Sequence, residues 1–307
     1  MSGSAGGRAG AGSAGLRLIA AAAAGATAAG AARLAYSALN RRPPGGVKTW
    51  SRTNHRGEPV TLLEGPAVAV GAIAGVLAQA GVRAIGGSPG KGRTARRGSS
   101  LRADTATIVA AVGAAAFGAY DDLAGSGDRR GFRGHLGALR HGEVTTGTVK
   151  LGGIGVTAIL SAVVAGGPVT DVVLNAGLVA GGANLLNLFD LRPGRAIKVA
   201  VTIGTPGAIS TAAPVAAALA LLPEDLGERA MLGDAGANAL GALLGARAAG
   251  LPRPARLALL AGVAGLTAAS EKVSFTKVIE RTPALRWLDM LGRRPAKQVP
   301  DLAPPDE

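Results

Sequence analysis

Long stretches with almost no charge are the feature that most constrains how this chain can fold. A membrane-spanning helix needs about 20 mostly apolar residues, with about 17–25 as the usual range. Nine windows of this kind occur along the 307 residues, and only 17% of the whole chain is charged. We therefore predict an all-α fold, a polytopic integral membrane bundle of about nine transmembrane helices. The windows cover residues 16–39, 66–86, 105–121, 150–168, 170–189, 195–209, 211–223, 235–250 and 254–270.

The windows divide the chain into three parts. Residues 1–15 are rich in glycine, serine and alanine, and we predict a disordered tail there. Residues 16–270 form the predicted transmembrane domain. Residues 271–307 form a charged cytoplasmic tail, rich in proline at its end, which we expect to begin with an amphipathic helix. The sixth and seventh windows are short and contain Gly and Pro. They could therefore form two separate spans or one broken helix.

The charges of the connecting segments predict an orientation. The net charge of +14 is spread in short basic clusters between apolar windows, as in loops that face anionic lipid, and no basic stripe of a nucleic-acid-binding domain is present. With the N-terminus outside, 21 of the 33 Lys and Arg residues lie on inner segments and 11 on outer ones, which favours N-out and C-in. The basic loop 83–102 lies outside in this arrangement and disagrees with it. The absence of cysteine excludes disulfides, thiolate metal sites and thiol nucleophiles.

Two adjacent aspartates end the third apolar window. The stretch GAYDDLAGSG contains Asp121 and Asp122, after a run made almost entirely of alanine, valine and glycine. Every odd-numbered span ends on the cytoplasmic side in the predicted topology, so the pair lies on that side. The structural alternative is a carboxylate that simply lies in interfacial water at a helix end.

Two further polar motifs fall on the same side. The fifth window ends in GGANLLNLFDLRPGR, where Asn184, Asn187 and Asp190 recur every three residues and form one polar stripe on a helix. The eighth window is preceded by MLGDAGANALG, in which Asp234 and Asn238 are i, i+4 neighbours among glycines that permit close approach. The asparagines can instead join helices, at about 0.6 kcal/mol per hydrogen bond, and the second motif can be a turn before a tightly packed helix.

Three acidic sites at one membrane depth favour a functional cavity, because polar groups inside a membrane are costly. Carboxylates beside basic loops suit Mg²⁺, which accepts one or two carboxylates together with phosphate oxygens. Basic side chains near these sites could hold further phosphate charge. These are Arg129, Arg130, Arg133 and Lys150.

The order of the motifs resembles the polyprenyl-phosphate N-acetylhexosamine-1-phosphate transferases. This superfamily includes phospho-N-acetylmuramoyl-pentapeptide transferase and UDP-GlcNAc:undecaprenyl-phosphate GlcNAc-1-phosphate transferase. The resemblance rests on YDD after one span, N-x-x-N-x-x-D at the end of a later span, and GD-x-G opening another. It extends over roughly residues 50–270 and includes NHRGEPVTLLEGPA, which is similar to the family's first cytoplasmic loop and second span.

The resemblance implies a Mg²⁺-dependent transfer of a sugar 1-phosphate from a UDP-sugar to polyprenyl (undecaprenyl) phosphate, with release of UMP. The implied setting is cell-envelope glycan synthesis at the cytoplasmic face of the plasma membrane. Whether the protein forms a homodimer remains open. By motif match, Asp121, Asp122 and Asp190 take catalytic positions, and Asp234 binds the metal together with Asp121. The implied substrate-binding positions are Asn184, Asn187 and Lys150.

Two departures from the family pattern stand out. The pattern continues with a second aspartate where this chain has Pro193, and the histidine-rich motif of the last cytoplasmic loop is replaced by SEKVSFTKVIERTP. The three histidines of the chain are His55, His135 and His141. Cations of the tail could take over the pyrophosphate contact, with Lys272 as the candidate substrate-binding residue and Lys277 or Arg281 beside it.

Two other functions remain open at this point. A non-catalytic paralogue that binds polyprenyl phosphate or scaffolds envelope enzymes would explain the lost motifs. A transporter would also place carboxylates within the membrane, although such proteins often carry inverted repeats and the sequence shows none.

Overall fold

The computed structural model describes residues 4–86, 93–125, 141 and 143–295, and this part of the chain is almost entirely helical. A helix occupies each of the nine apolar windows, which confirms the predicted all-α class. The helices are α1 (Ser4–Arg41), α2 (Val47–Trp50), α3 (Glu64–Ile85), α4 (Arg93–Ala124), α5 (Thr146–Ala165), α6 (Val169–Phe189), α7 (Arg195–Gly204), α8 (Ala208–Leu226), α9 (Gly233–Ala248), α10 (Arg253–Ser270), α11 (Phe275–Arg281) and α12 (Pro283–Met290). Helix α1 begins at Ser4, so the backbone of residues 4–15 is helical where the sequence predicted a disordered tail.

Six stretches of the described chain are long and apolar enough to cross a membrane, which is compatible with a multi-pass membrane protein. A seventh is added if α10 and α11 count as one broken span. Helix α9 has 16 residues and is shorter than a typical span of about 20. The six stretches are Ala14–Arg41, Glu64–Ile85, Gly98–Ala124, Thr146–Ala165, Val169–Phe189 and Arg195–Leu226.

The last of these stretches doubles back on itself. As a straight helix its 32 residues would be about 48 Å long, at about 1.5 Å per residue. Instead, Gly194 before α7 lies against Leu222 and Leu226 at the end of α8. The Thr211 hydroxyl donates to the Gly204 carbonyl at 2.7 Å, across a 3₁₀ turn over Thr205–Gly207. The sixth and seventh windows are therefore two antiparallel arms and not one continuous helix.

Small residues let the helices pack closely. A Cβ atom on Gly71 or Gly75 of α3 would come within 2.6 Å of the α1 backbone, at Ala28 and Ala24 respectively. Alanines on the same face of α1 are fully buried. Glycine and alanine at helix contacts are typical of bundles that pack in lipid, where van der Waals contact replaces the hydrophobic effect.

Helices α4 and α9 run in opposite directions, and this brings the polar motifs together. Gly118, late in α4, packs against Asp234 at the start of α9, while Asp104, early in α4, pairs with Arg247 near the end of α9 at 2.8 Å. We call the end of the bundle where α4 and α6 finish and α9 begins the site end, and the opposite one the far end. All three predicted acidic sites lie at the site end.

A two-stranded hairpin at the site end was not predicted. Strands β1 (Ser51–Thr53) and β2 (Pro59–Thr61) pair antiparallel between α2 and α3. The Asn54 side-chain oxygen accepts hydrogen bonds from the backbone N–H groups of Arg56 and Glu58, at 2.8 and 2.9 Å, and Gly57 takes a φ of +78°. An Asx turn of this kind closes a hairpin that is too short to show a periodic pattern in the sequence.

The end of the described chain folds back across the site end. Helix α11 turns by 95° from α10, and Phe275 stacks on Phe189 with ring centroids 5.2 Å apart. We call residues 275–295 the strap. The predicted helix at the start of the tail is present here as two short helices, α11 and α12.

Candidate active site

Asp121 and Asp234 share one cation at the centre of the site end. Lys150, in the first turns of α5, places its Nζ atom 2.6 Å from Asp121 Oδ2 and 2.7 Å from Asp234 Oδ2. The three side chains come from α4, α5 and α9, and each keeps less than a quarter of its surface exposed. The Asp121 carboxylate also accepts a hydrogen bond from the Thr146 side chain. The sequence placed Lys150 near the acidic sites, and the structure brings it between two of them.

Asp122 has a different role from its neighbour, because it caps helix α9. Its two carboxylate oxygens accept hydrogen bonds from the backbone N–H groups of Asp234 and Ala235, at 3.0 and 2.9 Å. A carboxylate at this position satisfies orphan N–H groups and interacts favourably with the helix dipole. Gly233 makes the approach possible with a φ of +59°. The Arg52 guanidinium, from β1, donates to the Asp122 backbone carbonyl.

Asp190 ends α6 next to the same helix start. Its backbone has left the helical conformation, and its carboxylate accepts a hydrogen bond from the Gly233 backbone. Burial raises the pKa of Asp190 well above its ordinary value, and the negative charges of Asp225, Asp234 and Asp122 raise it further. Four carboxylates from α4, α6, α8 and α9 therefore act on one another at the site end.

Two acidic residues of this cluster were missed by the sequence analysis. Glu64 opens α3 and is fully buried, and neither of its carboxylate oxygens has a hydrogen-bond partner among the described residues. Asp225, near the end of α8, is also buried, and both groups are close enough to act electrostatically on each other. Glu64 just before the second apolar window and the adjacent Glu224 and Asp225 just after the seventh were the available signal, since acidic residues are expensive in a membrane.

A cavity of about 440 Å³ opens beside Asp190. Its walls come from the tip of the hairpin, the loop after α6 and the loop after α8. Polar residues among the lining are Thr53, Asn54, His55, Asp190, Arg192, Asp225 and Glu228. Burial lowers the pKa of His55, and the positive charges of Arg192, Arg293 and Arg56 lower it further against the opposing charge of Glu228. Cationic and acidic side chains therefore both act on the lining of this cavity.

The asparagine stripe divides between two environments. The Asn184 side chain donates to the Thr267 hydroxyl of α10 at 3.2 Å. This is the contact between two helices that the sequence analysis gave as the structural alternative to a substrate-binding role. Asn187 is half-buried in the last turn of α6, and its carbonyl accepts from the Asp190 backbone N–H at 3.1 Å. Asn187 is therefore nearer than Asn184 to the carboxylate cluster along the chain and along the helix axis.

The predicted tail cations are not brought to the cluster. Lys272 and Lys277 are both exposed, and in the described part of the chain neither forms an ion pair with an aspartate of the site. Arg293 of the strap pairs with Asp289 at 2.7 Å and acts electrostatically on Asp225 and His55. Arg129, Arg130 and Arg133 lie outside the described residues.

The donor chemistry of the site suits a hard cation. Asp121 and Asp234 lie within hydrogen-bonding reach of each other, so a positive charge is needed between them, and Lys150 supplies it. Among the described residues no three His, Asp or Glu side chains are arranged to hold a metal ion by themselves. Mg²⁺ commonly takes only one or two protein carboxylates and completes its shell with water and substrate phosphates, and Asp121 with Asp234 could supply such a pair.

Comparison with known proteins adds no relative. No protein-family model, no curated protein and no solved structure matches this chain.

Proposed function

We propose that the protein transfers a sugar 1-phosphate from a UDP-sugar to a polyprenyl phosphate and releases UMP. The observation that carries this proposal is the Asp121–Lys150–Asp234 cluster, with Asp122 and Asp190 beside it, at one end of an apolar helical bundle. A lipid substrate can reach this end laterally from the membrane, whereas a nucleotide sugar must come from water. The site end is where both could meet.

The reaction needs positioning and charge neutralisation more than covalent chemistry on the protein. A phosphate oxygen of the lipid attacks the phosphorus that carries the sugar. The bond from that phosphorus to the oxygen bridging it to the uridine monophosphate breaks, and UMP leaves with the electron pair. The products are a polyprenyl-diphosphate sugar and UMP, so no oxidant, reductant or water is required.

Each residue of the site has a role that follows from its environment. Lys150 is a cation that can contact a phosphate while it offsets the negative charges of Asp121 and Asp234. Asp122, held by two backbone N–H groups, orients the start of α9 and therefore Asp234. Bound Mg²⁺, held by Asp234 and Asp121, would neutralise charge on the diphosphate. Asp190 is one of the residues that line the neighbouring cavity.

The cavity beside Asp190 is the proposed place for the nucleotide part of the donor. Its volume of about 440 Å³ lies within the roughly 300–1,000 Å³ that small-molecule sites occupy. Arg192 and His55 line it. A negatively charged diphosphate would then extend from Arg192 towards Lys150.

The finer topology is part of the same proposal. We infer nine crossings with N-out and C-in orientation in the plasma membrane, which puts the site end in the cytoplasm, where UDP-sugars are made. Supporting this, the alternating directions of the helices place the connections after α1, α4, α6, α8 and α10 all at the site end. Most of the basic residues are on those connections.

The test is exchange of labelled UMP into UDP-sugar by purified protein with undecaprenyl phosphate and Mg²⁺. Asp234→Asn should abolish exchange, because it removes a charge from the proposed metal and phosphate site. The matched control is Asp171→Asn, which removes an aspartate ion-paired with Arg256 at the far end. Exchange that survives in Asp234→Asn would refute the role of Asp234. Lipid-phosphate binding without any exchange by the parent protein would favour the non-catalytic paralogue.

A further inference from the structure

Helix α12 of the strap turns its acidic residue, Asp289, towards the protein and not towards solvent. Asp289 of α12 is buried and accepts two hydrogen bonds from the Arg195 guanidinium, at 2.7 and 3.1 Å. Arg293 adds a third contact to the same carboxylate at 2.7 Å, and the Lys198 ammonium donates to the Asp289 backbone carbonyl at 2.7 Å. The inner side of α12 is therefore attached by charged hydrogen bonds.

The opposite side of α12 is apolar and exposed. Trp287 lies two positions before Asp289, which is about 200° around the helix axis, and 65% of its surface is exposed. Leu288 and Met290 flank it and are exposed as well. A short helix on a water-soluble surface normally turns its apolar side inwards and its polar side out. The reversed arrangement is the one expected where lipid covers the outer side.

The position of the strap agrees with a lipid surface. It follows directly from α10, which runs from the far end to the site end alongside α6. Helix α11 then turns by 95°, which lays it parallel to the surface of a membrane that α10 crosses. Exposed basic side chains accompany the apolar ones, namely Lys277, Arg281 and Arg286. Aromatic and basic residues on one amphipathic segment are typical of helices at an anionic membrane interface.

We propose that the outer side of the strap, centred on Trp287, docks on the anionic lipid headgroup surface at the site end. The polar inner side, through Asp289 and Arg195, joins this lipid contact to the start of α7. The strap also holds the hairpin, because Arg294 pairs with Glu58 at 2.6 Å and Arg56 donates to the Arg294 carbonyl at 2.9 Å. This inference rests on the proposed crossing of the membrane by α10 and not on the proposed transferase activity.

Tryptophan fluorescence tests the proposal, because the chain has only two tryptophans. Trp50 is buried, and its indole N–H donates to the Pro44 carbonyl. The Trp50→Phe variant therefore isolates Trp287. In nanodiscs of zwitterionic lipid mixed with phosphatidylglycerol, lipids brominated near the headgroup end of the acyl chain should quench its emission, and the emission should be blue-shifted. Aqueous iodide should quench it weakly.

Two further variants make the outcome specific. Trp50→Phe/Trp287→Phe/Leu160→Trp places the probe on an exposed position of α5 and reports quenching along a span. Lys277→Gln/Arg281→Gln/Arg286→Gln, made in Trp50→Phe, should lose the extra quenching that phosphatidylglycerol produces over zwitterionic lipid alone. Strong iodide quenching with no bromolipid effect would overturn the proposal. Protection from both quenchers would also overturn it and would assign the surface to protein, either a second copy or another partner.

Discussion

Removing the shared cation of the site should destabilise the protein measurably. In Lys150→Gln, Asp121 and Asp234 stay within hydrogen-bonding reach of each other and lose the ammonium that lies 2.6 and 2.7 Å from them. Breaking a buried pair costs about 3–5 kcal/mol, and an exposed pair contributes about 1 kcal/mol or less. The three side chains keep 13%, 15% and 23% of their surface, which lies between these limits. We expect a loss of about 2–3 kcal/mol on this scale.

A second substitution separates repulsion from lost packing. If the carboxylates repel each other, Lys150→Gln/Asp234→Asn should be more stable than Lys150→Gln alone, by about 1 kcal/mol or more within the usual range of coupling between neighbours. Equilibrium unfolding in mixed micelles, followed by far-UV circular dichroism, measures both differences. A double variant that loses the sum of the two single losses would refute a shared cation.

Mg²⁺ provides a third measurement on the same variants. The proposed ligands are left without a protein cation in Lys150→Gln, so added Mg²⁺ should stabilise it more than the parent. A ligand at 100 times its Kd contributes about 2.7 kcal/mol. The double variant, which lacks one ligand, should respond less. An equal response of all three proteins to Mg²⁺ would show that the ion does not bind between these carboxylates.

Three further predictions use other parts of the molecule. Gly118→Ala should lower the free energy of unfolding by about 1–3 kcal/mol through overpacking, because the added Cβ would meet the α9 backbone. In the control Gly152→Ala the added Cβ has open space around it, and this variant should be about 0.5–1 kcal/mol more stable than the parent. Equilibrium unfolding measures both differences. In intact cells an impermeant thiol reagent should label Thr170→Cys at the far end and not Glu143→Cys at the site end; the reverse pattern would invert the topology. Burial alone would raise the pKa of Asp289, but Arg195 and the neighbouring cations lower this pKa below its ordinary value. The stabilisation of the strap by Asp289 is therefore complete above about pH 4. It is lost as the pH falls through the lower pKa of the folded state. Tryptophan fluorescence at acid pH should report strap release, and Asp289→Asn should remove this pH dependence.

Local composition was sufficient to predict the helices and the end on which the acidic motifs lie. Apolar windows of about 20 residues form helices in lipid because no other partner satisfies their backbone groups. Once each window is a helix, alternating direction alone puts Asp121, Asp190 and Asp234 at one end. The number of membrane crossings did not follow in the same way, since the 16 residues of α9 and the 10 residues of α7 are shorter than a span.

The roles of individual side chains depended on contacts between distant parts of the chain. Asp121 and Asp122 are adjacent in sequence, yet one pairs with Lys150 and the other caps α9, because neighbouring residues of a helix point in different directions. The buried Glu64 and the strap held by Asp289 likewise depend on residues more than 80 positions away. Periodicity and composition describe which face of a helix is apolar. The packing of small residues such as Gly118 decides which other helix lies against that face. Only the tertiary structure contains that information.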